Sequence, residues 1–452
     1  MKILVELADN NLTSHAGLVL IGPYLKSKDF RRAIDRVSTI KKTSGVISDV
    51  DIICCWIALL SLGKSDYASI EEYRNNQYFK DAIGIDHVPS EAILRQRIET
   101  LPEAIETVLR EFSFGVVATG FDEAKHHSVR NHTFSETLLI GDTPYSVIDS
   151  DVSVLDNSDS HKEGVEWTYK RCDGYAPMFS YMGASGYMLN CELREGSMHS
   201  NASGTHWYFQ ETIDAAKEIT DHRLLMVLDS GNDDKKILDL FEENGVSYVV
   251  KRNHRQEPVL QWLALAQDHE THRREGRDGS IVYYASTQRD VVVEDRKRTI
   301  RIVIVARERF CDEHGQLLLD PECSAQTYWT NLPCAERLVE KVYHMHGTME
   351  QYHSELKSDL GVERLPSGKF HPNSITLLCS MIAFNLLRRV GMKMLKSGKA
   401  PGKRGKRGRR LRLRTVLQSV MYMAAAIISH GGRIFLRICG GHAWAPAFYS
   451  SV

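Results

Sequence analysis

The sequence predicts an α/β protein: a helical N-terminal domain, a sheet-based core interrupted by a β-rich insertion, and a basic C-terminal segment. Three observations carry this reading. Residues 1–140 place apolar side chains at helical spacing between Gly and Pro breaks. From 141 onward the texture changes to short aromatic and β-branched runs that alternate with helical stretches. Between 256 and 330 strand-like runs follow one another, separated by charged turns.

Within the N-terminal 140 residues, ISDVDIICCWIALLSLG and EAILRQRIETLPEAIETVLREF are the clearest helices, and the region reads as a separate DNA-binding domain. Arg31, Arg32, Arg95 and Arg97 are its candidate phosphate contacts. The core's first part, 141–255, opens with PYSVIDSDVSVLD and YAPMFSYMGASGYMLNCELREG, where the Gly183–Gly186 turn divides two runs, so three antiparallel strands are expected. A helix over GTHWYFQETIDAAKEIT follows, then strand RLLMVLD, helix DDKKILDLFEENG and strand VSYVVKR. Three meandering strands followed by alternating helices and strands match a ribonuclease H-like α/β core in order. The insertion, 256–330, contributes GSIVYYAST, RDVVVED and TIRIVIVARERF as strands. The core resumes at AQTYWTNL, and its second part, 331–392, is a long helical region. Residues 393–452 form the C-terminal segment, in which the apolar stretch Val416–Ile428 reads as a buried helix, too short to cross a bilayer.

Composition narrows the partners. A net charge of -1 argues against a uniformly basic surface, but Lys393–Arg414 holds eleven Lys or Arg and no acid. So one-sided a run repels itself unless a polyanion neutralises it. Lys403, Arg404, Lys406 and Arg407, set among Gly and Pro with no aromatics, are expected to touch a nucleic-acid backbone without reading bases. The nine cysteines include no C-x-x-C pair and are expected as reduced, mostly buried thiols. Cys311, Cys323 and Cys334 lie near His314 at spacings unlike a zinc knuckle. The first ten residues include Glu6 and Asp9 and lack the order of an export signal, so a cytoplasmic location is expected.

Acids on rigid elements are the candidate chemistry. Asp149 and Asp151 share one face of a strand, an unusual polarity near a core that something must compensate. Asp229 ends the apolar run LLMVLD, where α/β sheets commonly place ligand groups, while Asp233 and Asp234 favour the start of the next helix. In YHMHGTMEQYHSELKSDL, Thr348 and Gln351 fit a capping box, which puts Glu350 in the first turn of a helix. Lys357, seven residues on, then falls about 20° off the same face. Phosphodiesters are anionic, and carboxylates suit Mg²⁺, a pair of which about 3.5–4 Å apart clamps both oxygens of an in-line displacement.

Tyr343, His346, Glu350 and Lys357 resemble the Y-(2)-R-(3)-E-(6)-K signature of bacterial insertion-sequence transposases of the D-D-E type. The spacing fits at every step, and His346 stands where the family has Arg. The similarity extends to DSDVSVLDNSDSHKEG, to YKRCDGYAPMFSYMGASGYMLNCELREGSMHS and to LLMVLDSGND with YVVKRN, and so spans most of residues 45–390. The resemblance implies a ribonuclease H-like core with a β insertion between the second Asp and the Glu. It implies Asp151, Asp229 and Glu350 as catalytic metal ligands, with Asp149 the rival for the first, and two Mg²⁺ or Mn²⁺ ions. Tyr343, His346 and Lys357 would contact DNA, and the activity implied is cut-and-paste transposition at terminal inverted repeats by a homodimer on double-stranded DNA. A ribonuclease H-like nuclease without strand transfer and an inactive DNA-binding descendant are the alternatives.

Overall fold

The computed structural model describes residues 11–40, 46–125, 128–129, 132–133, 136–276, 279–312, 314–402 and 410–452. Its N-terminal part is helical: α1 (Leu18–Leu25), α2 (Lys28–Val37), α3 (Asp49–Leu60), α4 (Gln77–Ile83), α5 (Glu91–Ile98) and α6 (Ala104–Lys125). Side-chain caps start four of them. Ser27, Asn76 and Ser90 each accept a first-turn amide, and Ser48 with Asp51 closes a capping box on α3.

Ten strands form the main sheet: β1 (Thr137–Ile140), β2 (Thr143–Val152), β3 (Met178–Met182), β4 (Tyr187–Glu192), β5 (Arg223–Leu228), β6 (Ser247–Lys251), β7 (Glu270–Glu275), β8 (Ile281–Val293), β9 (Arg296–Cys311) and β10 (Leu317–Thr330). Their order is β4-β3-β2-β5-β6-β10-β9-β8-β7, with β1 folded back on the start of β2. The meander β2, β3, β4 is antiparallel, and β5 and then β6 add to it parallel to β2. Parallel neighbours need crossovers, which α7 (Thr205–Ile219) and α8 (Lys235–Glu243) provide. After α9 (Val259–Asp268), the insertion strands extend this same sheet, because Tyr328–Thr330 of β10 pairs with Val249–Lys251 of β6. GSIVYYAST and RDVVVED, expected as two strands, fall on the single strand β8. The chain turns only at Glu294 and Asp295, both at positive φ.

The long helical region is broken in two places. α10 (Glu336–His344) passes through a 3-10 turn, Met345–Thr348, into α11 (Met349–Ser354), and a π turn, Glu355–Asp359, precedes the final long helix α12 (Phe370–Lys396). α12 is long and apolar enough to cross a bilayer, but that apolar window is wholly buried. α1, α3 and α6 pack on it, so the helices expected to stand apart share one core with the C-terminal half. The helix expected over Val416–Ile428 is instead a short helical and π turn followed by a strand. Ala425–His430 pairs with Arg433–Ile438 and with Leu12–Thr13. β-branched Ile427 and Ile428, and the positive-φ pair Gly431 and Gly432, favour that hairpin over a continued helix.

Packing on the two faces of the sheet locates the site. Ile148 and Val152 of β2 join Met226 and Leu228 of β5 in a core covered by α7, α8 and α9. On the opposite face, Phe179 and Tyr181 of β3 pack with α11 and α12, and Leu225 and Val227 of β5 pack with α10. A polar seam divides these last two clusters. The residues of β2 that face it are Asp149 and Asp151.

Candidate active site

Strand pairing assembles the first two acids. Val227 lies beside Asp149 and Leu228 beside Ser150, so the next residue, Asp229, leaves β5 next to Asp151. On the other side, Asp149 is paired with Tyr181 and Asp151 with Phe179. Period-two alternation sends both β2 aspartates to the seam while Ile148, Ser150 and Val152 point into the core.

The acids differ in their partners. Asp149 Oδ1 is 2.5 Å from Nδ1 of His346, and both side chains are largely buried. Burial pushes the His346 imidazole down, but the hydrogen bond and charge of Asp149, with the charges of Asp151 and Asp229, outweigh it and raise it to about 9. Burial raises Asp149 as well, against the pull of His346. Among the described residues Asp151 has no cation in hydrogen-bonding contact. Its Oδ1 accepts the Val152 amide at 2.7 Å, and burial first, then the Asp229 charge, lifts its carboxyl to about 7. Asp229 caps the turn that follows it through Oδ1, which accepts from the Gly231 amide at 3.0 Å and from Asn232 Nδ2 at 2.9 Å.

Glu350 sits exposed in the first turn of α11. Thr348 makes no side-chain cap, so the capping box expected there is absent; the preceding 3-10 turn already holds Thr348 in helical geometry. Tyr169 links Glu350 to the aspartates. Burial raises its hydroxyl, and the charges of Asp151, Asp229 and Glu350 add to that effect, so all three acids lie within electrostatic range of this ring. Its hydroxyl donates to the Val152 carbonyl at 3.1 Å, and neighbouring Trp167, Lys170 and Arg171 are exposed.

Other candidates are placed differently from their sequence reading. Lys357 is mostly buried, and its ammonium donates to the Val154 carbonyl with Glu363 at 4.0 Å. The π turn that carries Lys357 spoils the seven-residue count from Glu350 and turns the side chain inward. His346 faces Asp149, and Tyr343 stacks on it at 5.7 Å with Lys251 over the Tyr343 ring. Asp234 caps α8 as expected, but Asp233 accepts from the Trp329 indole and the Asn253 amide instead. Arg31 donates to the Leu25 and Ile83 carbonyls, and Arg97 pairs with Asp49, so neither is free for phosphate, whereas Arg32 and Arg95 are exposed. At the end of the basic run, Arg410 pairs with Glu355, and Arg412 and Arg414 with Asp359. Lys403, Arg404, Lys406 and Arg407 lie outside the described residues.

One residue of the site carried no signal in the sequence. His353, one helical turn past Glu350, is buried against Phe179 and Tyr181 with Nε2 3.9 Å from Asp151 Oδ2. Burial, and then the Lys357 charge, push its imidazole down to about 3, so it is neutral. Nothing in QYHSEL marks it, because a histidine beside Glu350 on an amphipathic turn reads as surface.

The donor set suits a hard divalent cation. Carboxylate oxygens dominate it, and burial with the nearby Asp229 charge leaves Asp151 in need of positive charge. Among the described residues no three His, Cys, Asp or Glu groups lie close enough to enclose one ion.

No protein of curated function matches the chain. Among solved structures, a piggyBac transposase synaptic complex with hairpin DNA is similar at 9% identity over 92% of this chain and 83% of that one, with a TM-score of 0.41. The family model described as Transposase DDE domain group 1 matches residues 1–452, and the chain therefore belongs to that family of DNA transposases.

Proposed function

We propose that this transposase cleaves element-end DNA and joins it to a target by metal-dependent phosphoryl transfer on a ribonuclease H-like core, with Asp151, Asp229 and Glu350 as metal-binding acids. The observation that carries this is the polar seam. Two acids from adjacent parallel strands, Asp151 and Asp229, stand between two apolar clusters, and among the described residues no cation is in hydrogen-bonding contact with Asp151. Such burial of like charges is costly unless a cation offsets it. The order of strands supports the core assignment, since an antiparallel meander carries the first acid and the adjoining parallel strand the second.

Divalent ions, Mg²⁺ or Mn²⁺ and two in number, would supply Lewis-acid stabilisation of the attacking and leaving oxygens. The chain's own residues do the rest. Asp151 and Asp229 would offer oxygens from rigid strand positions, and Glu350 would add its carboxylate from the exposed first turn of α11. His346 holds Asp149 and keeps that second acid from competing as a free carboxylate. The exposed Trp167, Tyr169, Lys170 and Arg171 would meet the DNA strand beside these acids, while Lys403, Arg404, Lys406 and Arg407 would hold backbone phosphate. A homodimer on the DNA is part of this reading.

Glu350→Gln removes one metal ligand at nearly constant volume. Cleavage of element-end DNA should fall by a factor on the order of 10² or more while DNA affinity stays within about threefold. A parallel loss of binding and cleavage would make Glu350 structural.

A further inference from the structure

His353 is in an unusual position for a polar side chain. It is 4% exposed on a turn packed against β3, and neither ring nitrogen has a hydrogen-bond partner among the described residues. Phe179 lies at 5.4 Å and Tyr181 at 5.6 Å between ring centroids, so apolar and aromatic walls fix the plane of the imidazole. Leaving a buried N–H unpaired costs about 1–3 kcal/mol, and an orphan of this kind in a well-packed place signals a partner that arrives later. The direction in which it points is specific. Nε2 faces Oδ2 of Asp151 from 3.9 Å, about 1 Å beyond hydrogen-bond length.

The other oxygen of the same carboxylate is already held. Oδ1 of Asp151 accepts the Val152 amide, which leaves Oδ2 as the free end of the group. A small rotation of the Asp151 carboxylate would bring Oδ2 onto the His353 N–H. The carboxylate would then be gripped from two sides, with its remaining lone pairs toward Asp229. Metal-bound carboxylates are commonly held by hydrogen bonds of this kind, and loss of the supporting group weakens metal binding by about 10–100-fold.

We propose that His353 is a positioning residue for the first catalytic acid: its Nε2–H donates to Oδ2 of Asp151 when that carboxylate takes up a divalent cation, and so sets which oxygen lone pairs face the metal. This rests on the metal-centre reading above. The imidazole supplies no ligand and moves no proton. The role depends on a neutral donor at the Nε2 position, which Gln can reproduce and Phe cannot.

The test uses the full-length protein and Mn²⁺ alone as the probe, read by calorimetric titration and by nitrogen coupling in the electron spin echo of bound Mn²⁺. His353→Phe should weaken Mn²⁺ binding by about 10–100-fold, and His353→Gln should restore it to within a few-fold of wild type. Bound Mn²⁺ in the wild type should show no directly coordinated nitrogen. Equal affinity in wild type and His353→Phe overturns the proposal, as does failure of His353→Gln to rescue. A direct nitrogen coupling that His353→Phe abolishes also overturns it, since His353 would then be a ligand. Should His353→Phe fail to fold, the Gln variant and the wild-type nitrogen measurement still decide. Absence of Mn²⁺ binding by the wild type, with Asp151→Asn as control, sinks the metal centre itself, an outcome distinct from failure at His353 alone.

Discussion

Glu355 and Asp359 are buried more deeply than Asp149 and Asp151, one to three turns further along the helical stretch that carries Glu350, and the protein treats the two sets in opposite ways. Each carboxylate of the first set is met by arginines. Glu355 pairs with Arg388 and Arg410, and Asp359 with Arg412 and Arg414. Arg388 lies buried on α12 and Arg410 stacks over Tyr352, so the C-terminal segment is clamped onto the turn that follows α11. Among the described residues the seam acids have a single imidazole in hydrogen-bonding contact, and it is committed to Asp149. Buried acids with resident cations hold the fold together; buried acids without them create a demand that only an incoming cation can meet.

The comparison is broken most severely at the seam. Asp151→Asn should cut strand cleavage by a factor on the order of 10²–10³, and Asp149→Asn by only about tenfold, because Asp149 acts through His346. Strand cleavage assays on both variants at saturating Mn²⁺ decide between them. The reverse ranking would make Asp149 the first metal ligand.

In the clamp the loss appears as stability. Glu355→Gln leaves Arg388 buried without its carboxylate partner and should cost about 3–5 kcal/mol, read from denaturant unfolding with DNA-free protein. A loss under about 1 kcal/mol would show that Arg388 finds another partner.

A smaller effect separates the two sets by pH. With its carboxyl at about 7 in the fold against an ordinary 3.8, Asp151 contributes stability that is complete below 3.8 and is lost as pH rises toward 7. In chelator, the wild type should therefore lose a few kcal/mol relative to Asp151→Asn between pH 4 and pH 7. A difference that stays flat across that range would mean solvent reaches the seam and relieves it.

Gly186 gives the smallest expected change. It turns β3 into β4 at φ +64, and a Cβ there would sit 2.2 Å from Cζ of Tyr352, the ring under Arg410. Gly186→Ala should destabilise by about 1–3 kcal/mol and lower Tm without altering Mn²⁺ affinity. A matching fall in Mn²⁺ affinity would show that clamp and seam are mechanically one unit.

Much of this was legible in the chain itself. The alternation S-V-I-D-S-D-V set Asp149 and Asp151 on one face, and the apolar run LLMVLD put Asp229 at a strand end, because period two and a strand's C-terminal edge are local properties. The meander, the two crossovers and the helices capped by Ser48 and Ser90 likewise follow from local pattern. What the tertiary structure decided depends on residues far apart meeting. Asp149 and His346 are 197 residues apart, and His353 finds Asp151 across 202. A π turn, invisible in residue spacing, redirected Lys357 to the Val154 carbonyl. Three cations of the basic run went to Glu355 and Asp359 because those carboxylates lay buried within reach, and a buried charge takes the nearest opposite charge before any partner in solution. Sequence determines which groups a strand or helix offers and on which face; only the packing of elements decides which of those groups are already satisfied and which still await a partner.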